Sequence, residues 1–248
     1  MDTTIKKLRR RILDVAYRDG MGHIPSALSI LDIVWTLYDK VMTKDDQFIL
    51  SKGHGVMALY AVLEEKGLFD WSTKAMGHPK RGGAILASTG SLGHGLPMAV
   101  GLALAKKIKG ETGRVFCLIG DGECNEGTTW ESAMIAAHHK LDNLVVIVDQ
   151  NHSSDRALNL GILRAKFTAF DWFALGINGH AESTLVEVLD NYHYIPDVDE
   201  PINFHANYPL CIIADTIKAN GIPFMQDPSW HNKKITKEDY DRFLIELI

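Results

Sequence analysis

Apolar residues along the chain fall into two kinds of pattern. Ile5, Leu8, Ile12, Leu13 and Ala16 share one face of a helix whose other face carries Lys and Arg, so the chain opens on a basic amphipathic surface helix. It resembles a targeting segment only in charge, because no long apolar region follows it. Short unbroken apolar runs form the second kind: Gln47–Leu50, Val115–Ile119, Leu144–Val148 and Leu210–Ala214. The central pair is long enough for buried strands and too short for buried helices. Helical spacing fills the intervals, over Ala27–Lys40 with Ser26 as the expected N-cap, after Gly55, over Met98–Lys107 and over Thr128–His139. Lys237–Ile248 reads as a closing helix, and Asn191–Asn207, rich in Tyr, Pro and acids, as a loop. The expected fold is α/β, a parallel sheet flanked by helices on both faces.

Composition changes this picture little. At 248 residues the chain can bury one core, and 46% hydrophobic with 23% charged residues is a soluble globular balance. A net charge of −5 without a basic stripe gives no reason to expect nucleic acid, and no apolar run approaches membrane-spanning length. Cys117, Cys124 and Cys211 are odd in number and lack zinc spacing, so buried thiols in a reducing, cytoplasmic setting are expected.

The candidate chemistry gathers where the two central strands end. Gly120-Asp121-Gly122 closes the first and Asp149-Gln150-Asn151 the second. In a parallel sheet both carboxyl ends share the edge where open α/β folds bind ligands. Asp121 and Asn151, thirty residues apart, are therefore expected side by side, a carboxylate and an amide oxygen suited to Mg²⁺ with room for phosphate oxygens. His54, in Ser51-Lys-Gly-His, falls at a helix N-terminus where backbone N–H groups favour anions, or serves there as a polar cap. His23 and His78 lie in Gly-flanked breaks of the chain, and residue type alone leaves structural and functional roles open for both.

Gly-Asp-Gly followed about thirty residues later by Asn is the thiamine diphosphate fingerprint, and Gly120–Gly127 with Ala136–Leu144 resembles transketolases in particular. The resemblance runs from about Leu8 to the end. It implies that His54 and His231 approach the cofactor's diphosphate, and that the turn Gly90-Ser91-Leu92-Gly93-His94 lies against the thiamine. Gly120, Asp121, Gly122, Glu123 and Asn151 are implied as further cofactor contacts, with Asp121, Asn151 and the Ser153 carbonyl as Mg²⁺ ligands. His23 and His78 coincide with the family's catalytic histidines. Departures are His94 where the family has Gln, Gly22-His23-Ile24-Pro25 in place of Gly-His-Pro-Gly, Ala219 for a glycine, and the run after Asn151.

The same resemblance implies that residues 1–248 form a single diphosphate-binding domain. The family's pyrimidine-binding and carboxyl-terminal domains, with the glutamate that activates the cofactor, are expected on a second subunit in an α2β2 assembly. Glu126 is expected at the contact with that second chain's pyrimidine domain. The implied activity is transfer of a two-carbon ketol unit between sugar or sugar-phosphate substrates. Two other readings stand beside it. One is a non-catalytic cofactor-binding or regulatory module. The other is the α subunit of a 2-oxo acid dehydrogenase, which shares the fingerprint but lacks the Ser-Lys-Gly-His and Lys-Leu-Asp-Asn-Leu segments.

Overall fold

Five parallel strands order the chain: β1 (Gln47–Leu50), β2 (Val115–Gly120), β3 (Leu144–Gln150), β4 (Phe173–Asn178) and β5 (Leu210–Asp215), arranged β1-β2-β3-β5-β4. The structure is a computed structural model that describes residues 3–72, 77–155, 158–191 and 207–246.

Side chains alternate across the sheet, as strand geometry requires. Phe116, Leu118, Val145, Ile147, Leu210 and Ile212 enter one buried cluster. It is completed by α1 (Thr3–Asp19), α2 (Ile24–Thr36), α3 (Val56–Glu65) and α7 (Glu182–Asn191), and Phe243 of α8 (Lys237–Glu246) joins it. Val115, Cys117, Ile119, Val146, Cys211 and Ile213 face the other side. There α4 (Gly95–Lys109), α5 (Gly127–His138) and α6 (Leu163–Ala169) cover them. The expected two-faced parallel sheet is what forms.

Several local expectations are revised. Ser26 is not an N-cap: α2 begins at Ile24, with His23 at the cap position in left-handed backbone (φ 57°) and Pro25 in the first turn. Proline fits there because its missing N–H would have no helical partner, so the helix starts earlier than hydroxyl capping suggests. The helix also ends sooner than Lys40, passing at Leu37 into a wider π-type turn that runs to Val41. β4, α6 and α7 had no counterpart in the sequence pattern. Nearly all of the expected loop from Asn191 to Asn207 lies outside the described residues. The three cysteines are free and fully buried, and burial pushes each thiol up. Among the described residues no helix is long and apolar enough to cross a membrane.

Candidate active site

Gly120 pairs in register with Asp149, so Asp121 leaves β2 directly beside the end of β3. Asp149 is fully buried. Its carboxylate accepts from Ser29 Oγ at 2.8 Å and Asn151 Nδ2 at 2.6 Å, and also from Lys52 Nζ and Thr216 Oγ1. One side chain thereby joins α2, the exits of β1 and β5, and the loop after β3. Burial alone would raise this carboxyl; the Lys52 charge and the converging donors outweigh it and hold Asp149 below its ordinary value.

That anchor orients Asn151. A carboxylate only accepts, so the amide NH₂ must face Asp149 and Oδ1 must face away. On that side Oδ1 accepts from the Ser153 N–H at 3.1 Å and from the Ser153 hydroxyl. Asp121 Oδ1 accepts from Gly122 N–H at 2.7 Å, and the Ser154 N–H also donates to this carboxyl. Asp121 Oδ2 is buried with no hydrogen-bond partner. Burial, then the neighbouring Asp149 charge, push Asp121 above its ordinary value. An orphaned carboxylate oxygen, an oriented amide oxygen and the Ser153 backbone beside them make a hard-oxygen donor set short of one cation, which fits Mg²⁺. Among the described residues no group of three or more His, Cys, Asp or Glu could hold a metal, and this donor set is of a different kind.

Three histidines face one another nearby. Ring centroids of His23 and His54 are 5.3 Å apart, those of His23 and His231 5.2 Å, and those of His54 and His231 6.2 Å. The altered turn around Gly22 thus still aims His23 at its two counterparts. Burial, followed by Lys52 and the other rings, drives His54 down to about 2, and burial first also lowers His23. His231 is lowered by partial desolvation and then by Lys218 and Lys52. All three are neutral at pH 7. Lys218 Nζ donates to Ser153 Oγ at 2.9 Å and lies 3.1 Å from His231 Nδ1, which must accept from it. Burial and the Lys52 charge pull Lys218 down as well, so this flank of the site favours an anion.

A cavity of about 160 Å³ opens between Met21, His23, His54, Met57, His78 and Asn232. His78 is exposed at its rim, its carbonyl accepting from Tyr60 OH at 3.2 Å. The His78 ring lies over Gly90, where a Cβ would sit 2.8 Å from its Cδ2 and where φ is +147°. The turn that follows is tied down through Thr89 Oγ1, which donates to Leu50 O at 2.6 Å. Ser91, Leu92 and His94 are exposed along it. His94 Nδ1 lies 2.9 Å from Leu92 O, so the proton sits on Nδ1 and Nε2 is left as the acceptor. Glu126 is exposed beside this turn.

Glu123 is the one expected cofactor contact that turns inward. Its side chain is 1% exposed, and both carboxylate oxygens accept from the chain itself. Sequence reading also passed over Lys52, Asp149 and Lys218. Each stands inside a recognisable motif, yet only the long-range pairing of strand ends reveals what it touches.

An oxygen-lined cation site, a basic and imidazole-lined flank and glycine turns, all at the carboxyl edge of a parallel sheet, define a domain that holds a metal-bound diphosphate. The sequence profile described as "Transketolase, thiamine diphosphate binding domain" matches residues 1–194, and the chain belongs to the transketolase family as its thiamine diphosphate-binding subunit. One of the two subunits named for apulose-4-phosphate transketolase in Phocaeicola vulgatus is 33% identical over 98% of this chain and 92% of its own length. "6-deoxy-6-sulfo-D-fructose transketolase subunit SqwG" of Clostridium sp. (strain MSTE9) is 32% identical over 97% of this chain and 93% of its own. The solved structure of transketolase from Leishmania mexicana superposes with a TM-score of 0.81 at 21% identity. It covers 98% of this chain, which spans 40% of that one, and the likeness bears on the fold. Family membership sets aside the 2-oxo acid dehydrogenase reading: the chain is part of a ketol-transferring transferase.

Proposed function

We propose that this chain is the diphosphate-binding subunit of a two-subunit, Mg²⁺- and thiamine diphosphate-dependent transketolase acting on sugar or sugar-phosphate substrates. The observation that carries the proposal is the buried, unpartnered Asp121 Oδ2 beside the oriented Asn151 amide. Asp121, Asn151 and the Ser153 carbonyl would hold the cation. His54, His231 and Lys218 would donate to the diphosphate, relieving the mutual repulsion of Lys52 and Lys218. When bound, thiamine diphosphate supplies the electron sink for the two-carbon unit.

The remaining chemistry is proton transfer by this chain's own side chains. Ketol transfer takes a proton from the donor's hydroxyl and returns one to the acceptor's carbonyl oxygen. Neutral His23 and His78, at the wall and rim of one cavity, are placed for both steps. Relatives of nearly equal length are named as subunits, which supports residues 1–248 as one domain and a second chain carrying the pyrimidine-binding and carboxyl-terminal domains, in an α2β2 assembly with Glu126 at the contact. Three free, buried thiols support a cytoplasmic setting.

The test is ketol transfer between a sugar-phosphate donor and acceptor, measured for the purified chain alone and after mixing with that second chain. Activity is expected only in the mixture. Full activity from the chain alone would contradict the two-subunit reading, and a mixture that binds the cofactor without turnover would favour a regulatory module.

A further inference from the structure

Glu123 sits at the third position of the short 3-10 turn Asp121–Asn125, where its carboxylate caps the Gly120 N–H at 2.9 Å through Oε2. Capping needs only that one oxygen. The other, Oε1, accepts from Ser51 Oγ at 2.5 Å and from the Gly93 N–H at 2.9 Å. Ser51 Oγ in turn accepts from the Gly95 N–H at 3.1 Å, so its own proton must go to Glu123. These donors come from three separate loops: Ser51 follows β1, Gly93 and Gly95 belong to the turn that opens α4, and Gly120 closes β2. A Cβ on Gly95 would fall 2.3 Å from Ser51 Oγ, so the two loops are in direct contact at the bridge. Burial pushes the Glu123 carboxyl up, against the pull of Ser51, Gly120 and Gly93.

We propose that Glu123 is a positioning residue for cofactor binding, the single buried carboxylate that sets the Ser51–His54, Gly90–Gly95 and Gly120–Gly122 loops in register with one another. It touches no ligand; it acts through the loops that do. The proposal rests on the cofactor reading given above. Its physical basis is that one carboxylate fixes three backbone segments whose mutual spacing no secondary-structure ladder controls.

The test uses the full chain as wild type, Glu123→Gln, Ser51→Ala and the double variant, with amide hydrogen exchange and calorimetric titration of thiamine diphosphate plus Mg²⁺. An amide offers one acceptor oxygen where the carboxylate offers two. In Glu123→Gln, therefore, either the Gly93 or the Gly120 N–H faces an NH₂ and should exchange about tenfold faster or more, while amides inside the strands keep their protection. Cofactor Kd should rise about tenfold, and the double variant should lose less than the sum of the single losses. A folded Glu123→Gln with a lowered melting point but wild-type Kd would overturn the proposal, as would strictly additive losses. If Glu123→Gln does not fold, Ser51→Ala decides, through faster Gly95 exchange and weaker binding against no change in either. A wild-type chain that fails to bind thiamine diphosphate would count against the cofactor reading, and the exchange measurements would still decide the linking role.

Discussion

Asn151 donates its amide N–H to Asp149 at 2.6 Å, so a buried carboxylate two residues earlier decides which way the candidate metal ligand faces. The same carboxylate neutralises Lys52, which is 1% exposed. Removing it in Asp149→Ala would strand that lysine in the interior. Such a loss costs about 3–5 kcal/mol, because an uncompensated charge remains buried. Urea unfolding of the variant would check it; a loss under about 1 kcal/mol would mean that water already reaches the pair.

His78→Ala, in the assembled enzyme, should lower turnover on the order of 10²–10⁴-fold, the usual cost of losing a general acid–base group. Cofactor affinity should barely change. His23→Ala is expected to behave likewise, whereas His54→Ala and His231→Ala should weaken cofactor binding. Steady-state kinetics at saturating thiamine diphosphate separate the two groups. A His78→Ala enzyme of normal turnover would remove that residue from the chemistry.

Gly90→Ala would drive a methyl to 2.8 Å from His78 Cδ2 at a backbone angle of +147°. The imidazole must move or the turn must strain, at a cost of order 1–3 kcal/mol. Its turnover should fall toward that of His78→Ala. Unchanged kinetics in Gly90→Ala would show that the ring's place over the glycine is dispensable.

Stability should fall on the acid side of neutrality. His54, His23 and His231 are all lowered from 6.5, so below that pH the unfolded chain takes up protons that the folded chain refuses. The stability they contribute is present above 6.5 and is lost as the pH falls toward their folded values. Each histidine adds a slope of at most about 1.4 kcal/mol per pH unit. His152 works in the opposite window: burial lowers it, but Asp215 and Asp155 outweigh that and raise it. Its contribution is present below 6.5 and is lost as the pH rises through its folded value. Unfolding between about pH 5 and pH 8 should therefore show a maximum, with an acid limb flattened in His54→Gln. An acid limb that His54→Gln leaves untouched would contradict the placement of that ring.

The strands that frame the site were legible because each is an unbroken apolar run buried on both faces. β4 was not: it is the edge strand, only partly buried, and Gly176 interrupts its pattern. His23, His54, His78, Asp121 and Asn151 were legible as motif residues. What holds them was not, since Ser29 and Lys52 lie 120 and 97 positions from Asp149. Glu123 misled for a related reason. It stands inside the cofactor motif, and only the fold shows that its carboxylate faces Ser51 and Gly93. His23 carries the other lesson: the left-handed cap that aims it at His54 is not a conformation that the Gly-His-Ile-Pro sequence favours on its own.

The most direct test is calorimetric titration of thiamine diphosphate into the full chain, with Mg²⁺ and with a chelator, for wild type, Asp121→Ala and Asn151→Ala. Binding should require the divalent cation and disappear in either variant, while circular dichroism shows the fold retained. Binding that survives the chelator, or an affinity unchanged in Asp121→Ala or Asn151→Ala, would contradict the assignment of Asp121 and Asn151 to the metal.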